Sequence, residues 1–189
     1  MSISVIVGLG NPGEKYAATR HNVGFWLLER LAAESGAGLQ VEKKVLGEVG
    51  QGSIGGCNFR LLKPSTYMNE SGRPVRRMLD FYKLESEQLL VIHDELDLSP
   101  GTIRFKHGGG HGGHNGLRDI IAHCGKEFMR MRIGIGHPGD KSQVTNFVLK
   151  PPGSAERILI EDALPNAQRA IGLLLQEGPE KAMHFLHSS

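Results

Sequence analysis

Long apolar runs, cysteine frameworks and nucleophile motifs are all missing from this sequence, and each absence removes a class of protein. No stretch approaches the roughly 20 apolar residues that cross a bilayer, so no membrane partner is expected. The opening Met1-Ser2-Ile3-Ser4 lacks the basic start and apolar core of a secretory signal. Only two cysteines occur, Cys57 and Cys124, and they make no spaced framework for disulfides or a metal. A cytoplasmic location is the expectation. Ser53 comes nearest to the G-x-S-x-G elbow of serine hydrolases, but Gln51 stands where the first glycine belongs. The Lys-Ser/Thr ending of a nucleotide-phosphate loop is absent as well.

What remains is an ordinary globular composition: 189 residues, 39% hydrophobic and 22% charged, without internal repeat or linker. That length suits one domain spanning 1–189. Net charge is only +2, but residues 101–150 carry eight Lys or Arg against three acids, a local +5. A basic segment of this kind suits a polyanionic partner, and equally a solvated surface of mixed charge.

The pattern of elements points to an α/β fold. Ile3–Val7 is a β-branched run, and "QLLVIHDE" reads as a second buried strand. Further strands are expected near Val45–Gly50, at Phe59–Leu62, in "GTIRFKH" and in "MRIGIG". A helix is expected from an Asn22 cap to Gly36, with Phe25, Leu28, Leu31 and Ala32 along one face. Other helices are expected in "SGRPVRRMLDFYK", in "NGLRDIIAHCG" capped by Asn115, and in "PEKAMHFLH". The long "PGSAERILIEDALPNAQRAIGLLLQEG" segment is a helix that Pro165 kinks or splits. Together these predict a single three-layer domain, with helices around a central twisted mixed sheet.

The stretch "VIVGLGNPG" places Gly8, Gly10 and Gly13 at the spacing of a dinucleotide loop. Pro12 removes one amide from that loop, however, and "EKYAATRH" intervenes before any convincing helix. The acids about 20 residues on, Glu29 and Glu34, fall inside a helix rather than at a strand end. The loop is better read as a tight turn that presents Asn11 at the carboxyl end of a strand.

Polar residues gather at such junctions: Asn11, His21, Asn69, His93, Asp94 and Asn115. A carboxylate beside an imidazole fixes its tautomer and makes it a competent general base. Asp94 and His21 form such a pair if the sheet brings them together; alone, His21 reads as a loop histidine without a role, and Asp94 equally as a helix or turn cap. With no serine or cysteine nucleophile in view, water is the expected nucleophile, held and polarised by carboxamides. His107, His111 and His114 in "HGGGHGGHNG" invite a metal, but a loop with five glycines is a poor frame for one. Glu95 and Asp97 in "HDELD" read as structural.

Five blocks then stand out together: "VGLGNPGEKYAATRHNVG", "KPSTYMNESG", "HDELDLSPG", "FKHGGGHGGHNGL" and "RIGIGHPGD", running from Val7 to Asp140. In content and order they resemble the bacterial peptidyl-tRNA hydrolase family. The resemblance implies hydrolysis of the ester between a peptide and the 3′-terminal ribose of tRNA, which recycles tRNA from stalled translation. It implies His21 as general base, Asp94 as its orienting carboxylate, and Asn115 as the residue that positions water and stabilises the tetrahedral state. Asn11 and Asn69 resemble the amides that bind peptide and terminal nucleotide. Tyr16, Met68 and His114 resemble residues lining or flanking the substrate crevice. Lys106 and Arg132, with Lys141 nearby, resemble a clamp on the tRNA 5′-phosphate. The resemblance also implies action without metal or organic cofactor, usually as a monomer, with peptidyl-tRNA and tRNA, not DNA, as partners. The competing reading is a non-catalytic RNA-binding protein on the same fold; a generic small-molecule esterase is disfavoured by the basic segment.

Overall fold

The apolar run that opens the chain becomes β1 (Val5–Gly8), a strand buried along its whole length at the centre of the sheet. The structure is a computed structural model describing residues 2–188. In chain order, β1 is followed by α1 (Val23–Ser35), β2 (Gln40–Glu42), β3 (Gly47–Ile54), β4 (Cys57–Pro64) and α2 (Gly72–Phe81). Then come β5 (Leu89–Glu95), β6 (Ile103–His107), α3 (Asn115–Cys124) and β7 (Met129–Gly134). Three helices close the order: α4 (Val144–Val148), α5 (Ser154–Glu177) and α6 (Pro179–His187).

The seven strands run in the order β2-β3-β4-β1-β5-β7-β6. Strand β1 pairs parallel with β4 and β5, and β5 parallel with β7. The β2–β3, β3–β4 and β6–β7 pairs are antiparallel, so the sheet is mixed, as expected. One face packs Phe59, Leu61, Ile6, Leu90, Ile92, Met131, Ile133 and Phe105 against α1, α5 and α6. The other packs Val5, Val7, Leu62, Leu89 and Val91 against α2 and α3. Helices therefore cover both faces, the three-layer α/β arrangement. Among the described residues no helix is long and apolar enough to cross a membrane.

Several local expectations need correction. Val45 belongs to a 3-10 turn, and the strand near it runs from Gly47 to Ile54 into a two-residue Gly55-Gly56 turn. The three-residue β2 and the five-residue α4 are too short to show a period in sequence. Pro165 lies inside α5, which continues through it as one helix. Helix α1 buries Val23, Gly24 and Leu27 in addition to Phe25, Leu28 and Leu31, while Ala32 is only half-buried. The reason is that α1 is wedged between the sheet and α5, so its apolar surface is wider than one stripe. Neither expected asparagine cap forms. Asn22 makes no side-chain bond to α1, and α3 is capped by His114, whose Nδ1 accepts from the Gly116 and Leu117 amides at 3.1 and 3.2 Å.

Candidate active site

The glycine that ends β1 and the one in the first turn of α1 serve close packing. A Cβ at Gly8 would lie 2.5 Å from the Gly24 carbonyl oxygen, and one at Gly24 only 2.6 Å from the Leu9 carbonyl. The start of α1 therefore sits flush against the end of β1, which side chains at either position would prevent. Gly13 leads into a 3-10 turn, Glu14–Tyr16, rather than into a helix whose amides could hold a pyrophosphate. This is the arrangement expected of a turn presenting Asn11.

That packing also fixes the turn Arg20–Asn22, which carries His21 to the carboxyl end of β5. His21 Nδ1 lies 2.8 Å from Asp94 Oδ2, and His114 Nε2 lies 2.7 Å from Asp94 Oδ1. The proton positions follow from the partners. His114 Nδ1 is an acceptor for two backbone amides, so its Nε2 carries the proton donated to Asp94. Asp94 accepts from His21 Nδ1–H as well, which leaves His21 Nε2 with the lone pair. His93 donates from Nδ1 to the Asp94 carbonyl at 2.8 Å and packs its ring edge-on to that of His114.

The charges divide accordingly. Burial alone would lower the His21 pKa, but the charge and hydrogen bond of Asp94 outweigh it and raise the pKa above its ordinary 6.5. Burial likewise opposes ionisation of Asp94, yet His21 and His114 together hold its carboxyl well below the usual carboxylate range. Burial, reinforced by His114, pushes His93 down to about 3, so that ring stays neutral. The result is a buried carboxylate serving two imidazoles, one of which can take up a proton.

These groups line a cavity of about 270 Å³ together with Asn11, Met68, Asn69 and Asn115. Asn11 Oδ1 accepts from the Met68 amide at 2.7 Å, and Asn115 Oδ1 accepts from Arg118 at 3.1 Å. Both carboxamides therefore have engaged oxygens and NH₂ groups left to donate. Asn69 is exposed at the same cavity. Val144, Val148 and Leu149 form an apolar wall supplied by α4 and its end, which nothing in the sequence singled out.

Tyr16 stands outside this lining, edge-on to Tyr67 with ring centroids 6.3 Å apart. The clamp candidates lie outside it too. Lys106 is exposed on β6, opposite Arg130 of β7, while Arg132 lies one pleat further along the same face, opposite Arg104. Arg132 is ion-paired with Glu95 at 3.5 Å, and Glu95 lies at the cavity lining. Lys141 is exposed at the start of a separate 3-10 turn.

Sequence reading missed Arg130. It is 1% exposed and donates to the carbonyls of Gly110, Gly109 and Lys126, fastening the glycine loop onto the sheet. Alternating Arg and Met in "RMR" was the available signal that one face of β7 is cationic. The glycine loop is thus better framed than its composition suggests, although four of its glycines hold positive φ. Among the described residues, the one group spaced for a metal is His21, Asp94 and His114, not His107, His111 and His114. It is a poor ligand set, because His114 Nε2 cannot release its proton without giving up the α3 cap at Nδ1.

A family model described as peptidyl-tRNA hydrolase matches residues 5–189. A peptidyl-tRNA hydrolase of Shewanella sediminis is 52% identical over 189 residues, covering 99% of this chain and 97% of that protein. One from Histophilus somni is 52% identical over 188 residues, covering 98% and 97%. The crystal structure of peptidyl-tRNA hydrolase from Acinetobacter baumannii matches with a TM-score of 0.95 and 51% identity, covering 97% of this chain and 94% of that one.

Proposed function

The chain belongs to the peptidyl-tRNA hydrolase family and is an enzyme that hydrolyses peptidyl-tRNA; on that premise we propose that His21 is the general base and residues 1–189 act as one catalytic unit. The observation that carries this reading is the shared carboxylate of Asp94, which commits the protons of two histidines and leaves His21 Nε2 as the basic atom. A water at Nε2 gives up its proton as its oxygen attacks the ester carbonyl. The imidazolium that forms is stabilised by the buried Asp94 charge. Negative charge then builds on the former carbonyl oxygen, where the Asn115 NH₂ group donates. Collapse of the tetrahedral species breaks the bond to the ribose 3′-oxygen, which takes the proton back from His21. Water is consumed, and the peptide leaves as a carboxylic acid that gives its proton to solvent, together with free tRNA.

The three asparagines divide the remaining work. Asn11 and Asn115 have engaged oxygens, so each donates to substrate oxygen. Asn69 is the carboxamide left to accept a peptide N–H, a contact that a free ammonium, more strongly hydrated, would not exploit equally. Met68 and His114 shape the crevice, with Tyr16 at its approach. Lys106, Arg132 and Lys141 contact tRNA phosphate, giving affinity independent of sequence. Such binding suits an enzyme that accepts many tRNAs.

Release of tRNA from N-acetylaminoacyl-tRNA, in chelator, by wild type and His21→Ala tests the assignment. Rapid cleavage by wild type alone supports a histidine-assisted, metal-independent esterase. Equal cleavage by both removes His21 from the chemistry.

A further inference from the structure

Asn22 stands at the start of α1, where an asparagine side chain ordinarily accepts from the helix's own unpaired amides. It makes no such bond. Its Oδ1 instead accepts from the Asn11 amide at 2.9 Å, and its Nδ2 donates to the Asn11 carbonyl at 2.9 Å. One buried carboxamide, 1% exposed, thus grips both backbone groups of a single loop residue. The two bonds face opposite ways, so Asn11 can neither rotate its peptide planes nor shift along the loop without losing one of them.

The grip has a consequence one bond further out. With its backbone held, Asn11 reaches the Met68 amide with Oδ1 at 2.7 Å. Among the described residues, its Nδ2 has no protein partner, and the residue lines the catalytic cavity. Asn22 is also the chain neighbour of His21, within the same 3-10 turn. One turn therefore aims the imidazole at Asp94 with one side chain and clasps the amide loop with the next.

We infer that Asn22 is a positioning residue for the hydrolysis, holding the Asn11 Nδ2 donor in register with the base. Asn22 touches no reacting atom; it acts through Asn11. The inference rests on the reading of Asn11 as a substrate-binding amide. A mere helix-starting role would stabilise α1 and leave the Asn11 donor indifferent to residue 22.

The test is kcat and KM on N-acetylaminoacyl-tRNA for Asn22→Ala, Asn11→Ala and the double variant, with thermal melting alongside. Misplacing a binding group by about 1 Å costs up to roughly 100-fold, so Asn22→Ala is expected to lower kcat/KM about 10- to 100-fold. The loss should divide between kcat and KM as it does in Asn11→Ala, and the double variant should be no worse than Asn11→Ala alone. Asn22→Ser serves as a second variant, because serine is accepted at helix starts but cannot span to Asn11. It should melt no lower than Asn22→Ala and show the same kinetic loss per folded molecule. Full activity in Asn22→Ser, or a loss that multiplies with that of Asn11→Ala, overturns the inference while leaving Asn11 in its role. A silent Asn11→Ala overturns the reading of Asn11 itself, and the inference with it.

Discussion

On the face covered by α1, α5 and α6, apolar side chains run without a break from Phe59 on β4 to Phe105 on β6. On the opposite face they stop at Val91; beyond it His93, Arg130, Arg132, Arg104 and Lys106 occupy the same side of β5, β7 and β6. The first face buries its apolar side chains, although His107 at its β6 edge is exposed and Lys63 on β4 is half-buried. The second leaves cations partly uncovered beside the carboxyl ends of β1 and β5, which is where the buried carboxylate and its histidines gather. An open α/β sheet binds ligands at that end. Here the incompletely covered face places Arg104, Lys106 and Arg132 next to it. Asp94 itself alternates onto the first face after Leu90 and Ile92, and the second face also buries Val5, Val7, Leu89 and Val91. The site thus gathers where both faces end, and substitutions can show how far stability and activity separate.

The largest effect is expected at the catalytic end. His21→Ala should lower kcat about 10²- to 10⁴-fold if general-base assistance is its main role, measured by single-turnover release of tRNA, with little change in tRNA affinity. The counterpart on the apolar face is Ile171→Ala in α5, fully buried and remote from the cavity. It should destabilise by about 2–5 kcal/mol in denaturant unfolding while leaving kcat/KM per folded molecule unchanged. A loss of specific activity there would show that the two faces are coupled.

The pH dependence sharpens the same contrast within one residue. His21 acts as a base only when neutral, and its pKa is raised, so kcat/KM should climb with pH through a limb above about 6.5. Asp94→Asn removes the charge responsible and should move that limb to lower pH. Stability runs the other way. A raised folded pKa means the His21–Asp94 attraction is fully present below the unfolded value and is lost as pH rises through the folded one. The stability difference between wild type and His21→Ala should therefore shrink with rising pH as activity grows. Lowering the pH far into the acid range releases the other partner: Asp94 is held ionised, so its contribution disappears as pH falls through its depressed pKa.

The smallest effect is expected from the cationic face. Lys106→Ala should raise KM with kcat nearly intact, and reduce the slope of log affinity against log salt by about 1. An unchanged slope would remove Lys106 from the phosphate contacts and leave them to Arg132 and Lys141.

Much of this architecture was legible locally. The runs that became β1 and β5 announced themselves by unbroken β-branched and leucine residues, and α2 by its proline in the first turn. Features of two to five residues escaped because they are shorter than the period that would reveal them. The asparagine caps misled for a different reason: Asn22 occupies the cap position but its side chain is claimed by Asn11, and Asn115 lies one residue inside α3, whose cap position belongs to His114. The candidate site residues were likewise visible as types at strand ends, with the family resemblance supplying their roles. Their connections were not visible.

The sequence by itself determined that strands alternate with helices, that one segment is basic, and which side chains are available for acid–base chemistry. Each of these depends on spacing along a few residues, which the backbone periods of strand and helix translate directly. Only the tertiary structure decided who shares a proton with whom. His21 and Asp94 are 73 residues apart, and Asn11 and Met68 are 57 apart. The pairing of β1 with β5 and the flush seat of α1 on Gly8 bring such groups within 3 Å. A carboxylate's partners, an amide's orientation and an imidazole's tautomer are properties of that contact and of no single segment.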